Sequence, residues 1–205
     1  SEGKEEGADT QGWMIGLVAA IIATVCLLGF VYYKKKPKET GKKVEEVKKI
    51  KSRKVKYNRG SCYIIREQTP ETSFKFFSDF VKKGAPGLYI TRTNPEDIKE
   101  KHKLNNVEVL WLTTGREDEH SINPTHIEKM TWTIKEFIKN NRNSAVLLDG
   151  VEYLIVQNNF LTILKSLQAL EDAVSINKSI LIIPISPMAI SEKEMSYLER
   201  DFVVV

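Results

Sequence analysis

Twenty-one consecutive uncharged residues, Trp13 to Tyr33 (WMIGLVAAIIATVCLLGFVYY), constrain this chain more than any other stretch. Thr24 is the only conventionally polar side chain among them. At about 1.5 Å per residue, a helix of that length reaches roughly 30 Å, the thickness of a bilayer's hydrocarbon core. A helix packed on the surface of a water-soluble core keeps one polar face, and this run offers none. The expectation is a transmembrane helix over residues 13–33. A polar, Gly-containing linker precedes it at residues 1–12, and everything else follows it.

The charges orient that span. Residues 34–56 hold twelve Lys or Arg against three Glu, whereas residues 57–205 hold eighteen basic and twenty acidic groups. The formal charge of +4 for the whole chain therefore comes from one juxtamembrane segment. Lys34, Lys35, Lys36 and Lys38 directly follow the span, and the preceding flank has only Lys4. An excess of Lys and Arg marks the cytoplasmic side. The expected protein is a single-pass cell-membrane protein with its N-terminus outside and a cytoplasmic domain at residues 57–205. A cleaved secretion signal would carry its basic residues before the apolar run, not after it. With that orientation and Ser rather than Met at position 1, an extracytoplasmic region upstream is also expected.

Two kinds of partner follow from these segments. The four lysines and the rest of residues 34–56 are expected to lie against anionic lipid headgroups, each cation contributing about 1 kcal/mol at close approach. Pro37 and Gly41 keep the start of this segment from simply continuing the helix. Gly12, Gly16, Ala20 and Thr24 recur every fourth residue, a small-residue face on which two helices can approach closely. Self-association through the span, or a protein partner, is expected beside the lipid bilayer. Nucleic acid is disfavoured as a partner, because no aromatic side chain interleaves the basic run before Tyr57.

From Tyr57 onward, apolar runs of strand length alternate with helical stripes. Strands are expected at Ser61–Arg66, Gly87–Thr91, Val107–Leu112, Ala145–Leu148 and Ser179–Pro184, with a last one in Phe202–Val205. A helix opening at Pro70 carries the stripe Phe74, Phe77, Phe80 and Val81. Asn94-Pro95 and Asn123-Pro124 each read as an Asn cap with Pro in the first turn. Thr113–Ser121 is expected to be a loop. One long helix carrying Leu161, Leu164, Leu167, Leu170 and Val174 is expected after Gly150, and Ser191 with Glu194 has the spacing of a capping box. Continuously apolar strands separated by helices imply a mainly parallel sheet covered on both faces. The expected fold class is a three-layer α/β/α domain, long enough to bury a real core.

In such a sheet, ligands gather at the carboxyl ends of the strands. Arg92, Thr113, Thr114, Asp149 and Ser186 fall there, with Glu152 in the first turn of the next helix. An apolar strand ending in Asp149 (AVLLD) has the form of a Walker B strand, whose carboxylate holds Mg²⁺ for phosphoryl chemistry. Its necessary companion, a glycine-rich loop with Lys after the first strand, is missing: Arg66 to Ser73 contains neither Gly nor Lys. Without that cradle, P-loop ATP hydrolysis is not expected. His102, His120 and His126 lack metal-ligand spacing, and Cys26 and Cys62 lie on opposite sides of the expected membrane boundary. No metal, no cofactor and no catalytic residue is assigned. Arg92, Thr113, Thr114, Asp149 and Glu152 form the candidate ligand or partner site; a plain structural role is open for two of them, Asp149 as a helix cap and Arg92 as the partner of a carboxylate.

Several short segments together carry a resemblance. Gly60-Ser-Cys-Tyr63, Gly87-Leu-Tyr-Ile-Thr-Arg92 with Asn94-Pro95, Val109-Leu-Trp-Leu112, and Leu147-Leu-Asp-Gly-Val-Glu-Tyr-Leu154 with Asn159-Phe160 occur in order. Ile182-Ile-Pro-Ile-Ser-Pro187 and Leu198-Glu-Arg200 close the set. Over about residues 57–200 the chain resembles the archaeal domain-of-unknown-function family numbered 835, similar in outline to RecA-like P-loop domains without the phosphate loop. The resemblance implies archaeal origin and a non-catalytic cytoplasmic role in signalling, binding or scaffolding. The alternative is a nucleotide or metal-nucleotide sensor, or enzyme, that uses Asp149 at a non-standard site. A third reading, nucleic-acid binding through residues 34–56, is opposed by the slightly acidic domain.

Overall fold

Runs of branched aliphatic residues without a polar face can stand as strands only where both faces of the sheet are covered, and that is where they lie. The computed structural model describes residues 57–102, 105–116 and 118–205. The expected span at 13–33 and the basic segment with Lys34, Lys35, Lys36 and Lys38 fall outside the described residues. Among the described residues no helix is long and apolar enough to cross a membrane.

The strands are β1 (Ser61–Arg66), β2 (Gly87–Thr91), β3 (Val107–Leu112), β4 (Ser121–Ile122), β5 (Ala145–Leu148), β6 (Ile180–Ile185) and β7 (Val203–Val204). The helices are α1 (Glu71–Lys82), α2 (Pro95–His102), α3 (Ile127–Asn140), α4 (Val151–Gln157), α5 (Phe160–Ile176) and α6 (Glu192–Asp201). The strands form one seven-stranded sheet in the order β4-β3-β2-β5-β6-β1-β7, and every neighbouring pair is parallel. The expected three-layer α/β architecture with a mainly parallel sheet is the one observed.

Crossover handedness sets the layers. The chain steps toward one edge from β1 through β2 and β3 to β4, then returns through β5 and β6 to β7. A strand-helix-strand unit is right-handed almost without exception, so reversing the direction moves the helices to the other face. On the first face, Phe76 and Phe77 of α1 and Ile98 of α2 pack on Tyr63, Tyr89, Leu147 and Ile182. On the second, Met130 and Ile134 of α3, Leu154 of α4, Leu167 of α5 and Leu198 of α6 pack on Ile64, Ile90, Leu148 and Ile183. Each such fully buried side chain contributes about 1.5–3 kcal/mol by leaving water. The packing is tight where α1 crosses β2: a Cβ on Gly87 would lie 2.9 Å from each of Phe77 Cζ, Val81 Cγ2 and Val107 Cγ2.

Four local expectations are corrected. Thr113–Ser121 is not loop throughout, because Ser121 begins β4 and pairs in register with Trp111. Asn123-Pro124 does not open α3. Asn123 Oδ1 accepts the Thr125 N–H at 3.1 Å in a side-chain turn, and the helix starts at Ile127. The long helix after Gly150 is two helices. Asn158 closes α4 by donating from Nδ2 to the Leu154 carbonyl at 2.8 Å, and Asn159 caps α5 by accepting the Thr162 N–H at 2.9 Å. Leu161 therefore faces solvent, while Ile163, Leu164, Leu167, Leu170 and Val174 form the buried stripe. β6 runs one residue later than expected, and the Ser191–Glu194 capping box is present with both of its hydrogen bonds.

Candidate functional site

The connections leaving β2 and β5 run to opposite edges of the sheet, and these two strands lie side by side. That reversal opens a crevice at their carboxyl ends. Ile90 pairs with Leu148, so Thr91 and Asp149 come next in register as the two strands end. The Thr91 hydroxyl donates to Asp149 Oδ2 at 3.1 Å, and the Tyr89 hydroxyl reaches the same oxygen at 3.4 Å. The Asp149 N–H still follows the ladder, donating to the Ile90 carbonyl at 2.9 Å.

Asp149 does not cap the helix after it. The cap position of α4 is Gly150, at φ +109°, and no side chain there accepts a helical N–H. Gly150 holds that place for two reasons: the left-handed backbone is strained for any residue with a Cβ, and a Cβ would sit 3.1 Å from Arg92 Cγ. Burial is the chief reason that the Asp149 carboxyl titrates above the ordinary aspartate range. The charge of Glu152 adds to the shift, while the Thr91 and Tyr89 hydroxyls and the Arg92 charge oppose it without cancelling it. The Tyr89 phenol is pushed upward in turn, by burial first and by the Asp149 charge second.

Arg92 takes another course. Its guanidinium lies over the Tyr153 ring, 4.2 Å from the centroid, a cation–π contact rather than an ion pair. Strand alternation accounts for the split: Tyr89, Thr91 and Asp149 have one parity and Arg92 has the other. The Trp111 indole N–H donates to the Arg92 carbonyl at 3.0 Å and fixes the turn after β2. Glu152 is engaged as well, accepting the Ser186 N–H at 2.7 Å where β6 ends. Thr113 turns its hydroxyl to the Gly115 N–H at 3.1 Å, and Thr114 is exposed one strand farther out. Asp149, Arg92 and Glu152 thus surround the opening of α4, and the two threonines stand apart from them.

The first strand ends differently. Glu67 follows β1, and its carboxylate accepts the Thr72 N–H at 2.7 Å and the Ser73 N–H at 2.9 Å. The free N–H groups at the start of α1, where an anion would otherwise be held, are occupied by the chain's own carboxylate. A cavity of about 90 Å³ lies beside β3, lined in part by Asn94, Lys99, Trp111, Arg116 and His120. Ligand pockets for drug-sized molecules run to about 300 Å³ and more, so a nucleotide does not fit there. Among the described residues no group of three or more His, Cys, Asp or Glu side chains is placed to hold a metal ion.

Tyr89, Thr91 and Glu67 are the residues that sequence reasoning missed. Thr91 and Tyr89 could be found only once β2 and β5 were known to be neighbours. Glu67 had a local signal, an acid shortly before a Pro-started helix.

Residues 66–202, well over half of the chain, match the family model described as protein of unknown function (DUF835). The chain belongs to the DUF835 family. The family's match begins at the last residue of β1 and ends just before β7, so it includes Glu67, Arg92, Asp149 and Glu152. No curated protein matches the chain significantly. A solved chain from a structural study of Pyrococcus horikoshii OT3 is similar, at 11% identity and a TM-score of 0.48, over 71% of this chain and 80% of that one.

Proposed function

We propose that residues 57–205 are a RecA-like domain whose phosphate site is closed by its own Glu67. In this reading it works without catalysis, as a binding or scaffolding module in signalling, held at the cytoplasmic face of a membrane by the span at residues 13–33. The observation that carries the reading is the pair of hydrogen bonds from Thr72 and Ser73 to the Glu67 carboxylate. β1 and β5 end at the same side of the sheet with β6 between them, the placement that a phosphate loop and a Walker B acid would need. A phosphate arriving at α1 would meet a fixed negative charge instead of free N–H groups and a lysine. Residues 34–56 would hold the domain close to anionic headgroups, through Lys34, Lys35, Lys36 and Lys38 first.

Calorimetry of the full chain in detergent, titrated with ATP and with cyclic dinucleotides in the presence of Mg²⁺, tests the reading. No heat of binding is expected, for the wild type or for Asp149→Asn. One observation favours a second reading, a nucleotide or metal-nucleotide sensor built on Asp149: the carboxylate is desolvated and performs no capping. Mg²⁺-dependent binding that disappears in Asp149→Asn, with the fold intact, would establish that reading and overturn the first.

A further inference from the structure

The outer face of α3 and α5 exposes two large apolar side chains. Trp132 is 64% exposed on α3, and Leu161 is 60% exposed on α5. Between the two helices runs a groove of about 460 Å³, lined by Ile127, Glu128, Thr131, Trp132, Lys135 and Lys165 among others. Its floor is fixed, because the hydroxyls of Thr131 and Ser166 share a hydrogen bond of 2.6 Å across it. A large amphipathic ring beside a ready-made groove has the form of an interface anchor.

We propose that this face pairs two copies of the chain about a two-fold axis near Thr131 and Trp132, each Trp132 entering the α3–α5 groove of the other copy. The charges select a second copy over an unrelated partner. Glu128 and Lys135 are seven residues apart, two helical turns, and lie symmetrically about the 131–132 midpoint. In an antiparallel pairing of α3 with its copy, Glu128 of each chain comes opposite Lys135 of the other. Both ion pairs form at once, as an isologous contact requires. The spacing follows from the helix alone: seven residues rise about 10.5 Å, so the pairs flank the two indoles without crowding them. Lys165 lines the same groove and gives its wall a further positive charge for the incoming Glu128.

Sedimentation of the full chain in detergent decides the matter, with wild type compared with E128K, W132D and the double variant E128K/K135E. The single charge reversal sets Lys against Lys on both sides of the axis, and W132D removes the anchor. Each is expected to weaken self-association about tenfold or more. The double variant restores opposite charges and is expected to return association to within about threefold of wild type. The altered side chains are exposed or half-buried, so circular dichroism should show an unchanged fold. Association that none of the variants alters, as pairing through residues 13–33 alone would give, overturns the proposal. So does a chain that stays monomeric at high micromolar concentration. A double variant as weak as E128K also overturns it, since residues 128 and 135 then do not face each other across the axis.

Discussion

Tyr89 and Thr91 both donate to one oxygen of Asp149, yet burial still holds that carboxyl above its ordinary range. The stability consequence has a definite sign. Below the unfolded-state value of about 3.9 both states are protonated and Asp149 contributes no penalty. As pH rises from there through the higher folded value, the unfolded chain ionises first and native stability falls. Above that window the full penalty remains. Asp149→Asn keeps an oxygen for the Thr91 and Tyr89 hydroxyls and removes the buried charge. It should therefore raise Tm at neutral pH, with the gain disappearing in acid near pH 3, as calorimetric melts across pH would show. A carboxylate whose place was structural, as a helix cap, would behave oppositely, and its loss would cost about 1 kcal/mol. Cys62 is the contrasting case, a thiol pushed up to about 12 mainly by burial, which makes it an inert part of the core.

Among the elements, the α4–α5 junction has the most visible local cause. The chain breaks at two asparagines, one closing α4 and the other opening α5. Asn159→Ala removes the N-terminal side-chain cap of α5 and is expected to cost about 1 kcal/mol in denaturant unfolding. Apolar periodicity was too coarse to part the two helices, since Leu161, Leu164, Leu167 and Leu170 recur every third residue and do not mark where the helix that carries them begins. β4 escaped for a different reason. Two residues carry no period, and its strand character comes from pairing with Trp111 and Leu112.

For the whole molecule, β5 lies near the centre of the sheet, covered by α1 on one side and by the α3–α5 layer on the other. Leu147 and Leu148 are both fully buried, one in each core. Truncating either to Ala should cost about 2–5 kcal/mol, and a single sheet requires each to shift one cooperative transition. Differential scanning calorimetry checks this. Two separate transitions, only one of them moved by each variant, would mean that the two faces fold independently.

The sequence by itself determined the class of fold, because a strand without a polar face can exist only between two layers, and it placed five of the strands to within a residue. It also named Asp149 and Arg92 as strand-end groups, and it showed neither Gly nor Lys between Arg66 and Ser73, where a P-loop would carry them. Only the tertiary structure decided what those groups touch. Strand order is a long-range property, and it is the adjacency of β2 and β5, sixty residues apart in the case of Tyr89 and Asp149, that gives the carboxylate its two hydroxyl donors. Strand parity then sends Arg92 to the other face and onto Tyr153. The Glu67 carboxylate, too, finds its partners only in the folded chain, where it lies over the first turn of α1 and takes the Thr72 and Ser73 N–H groups.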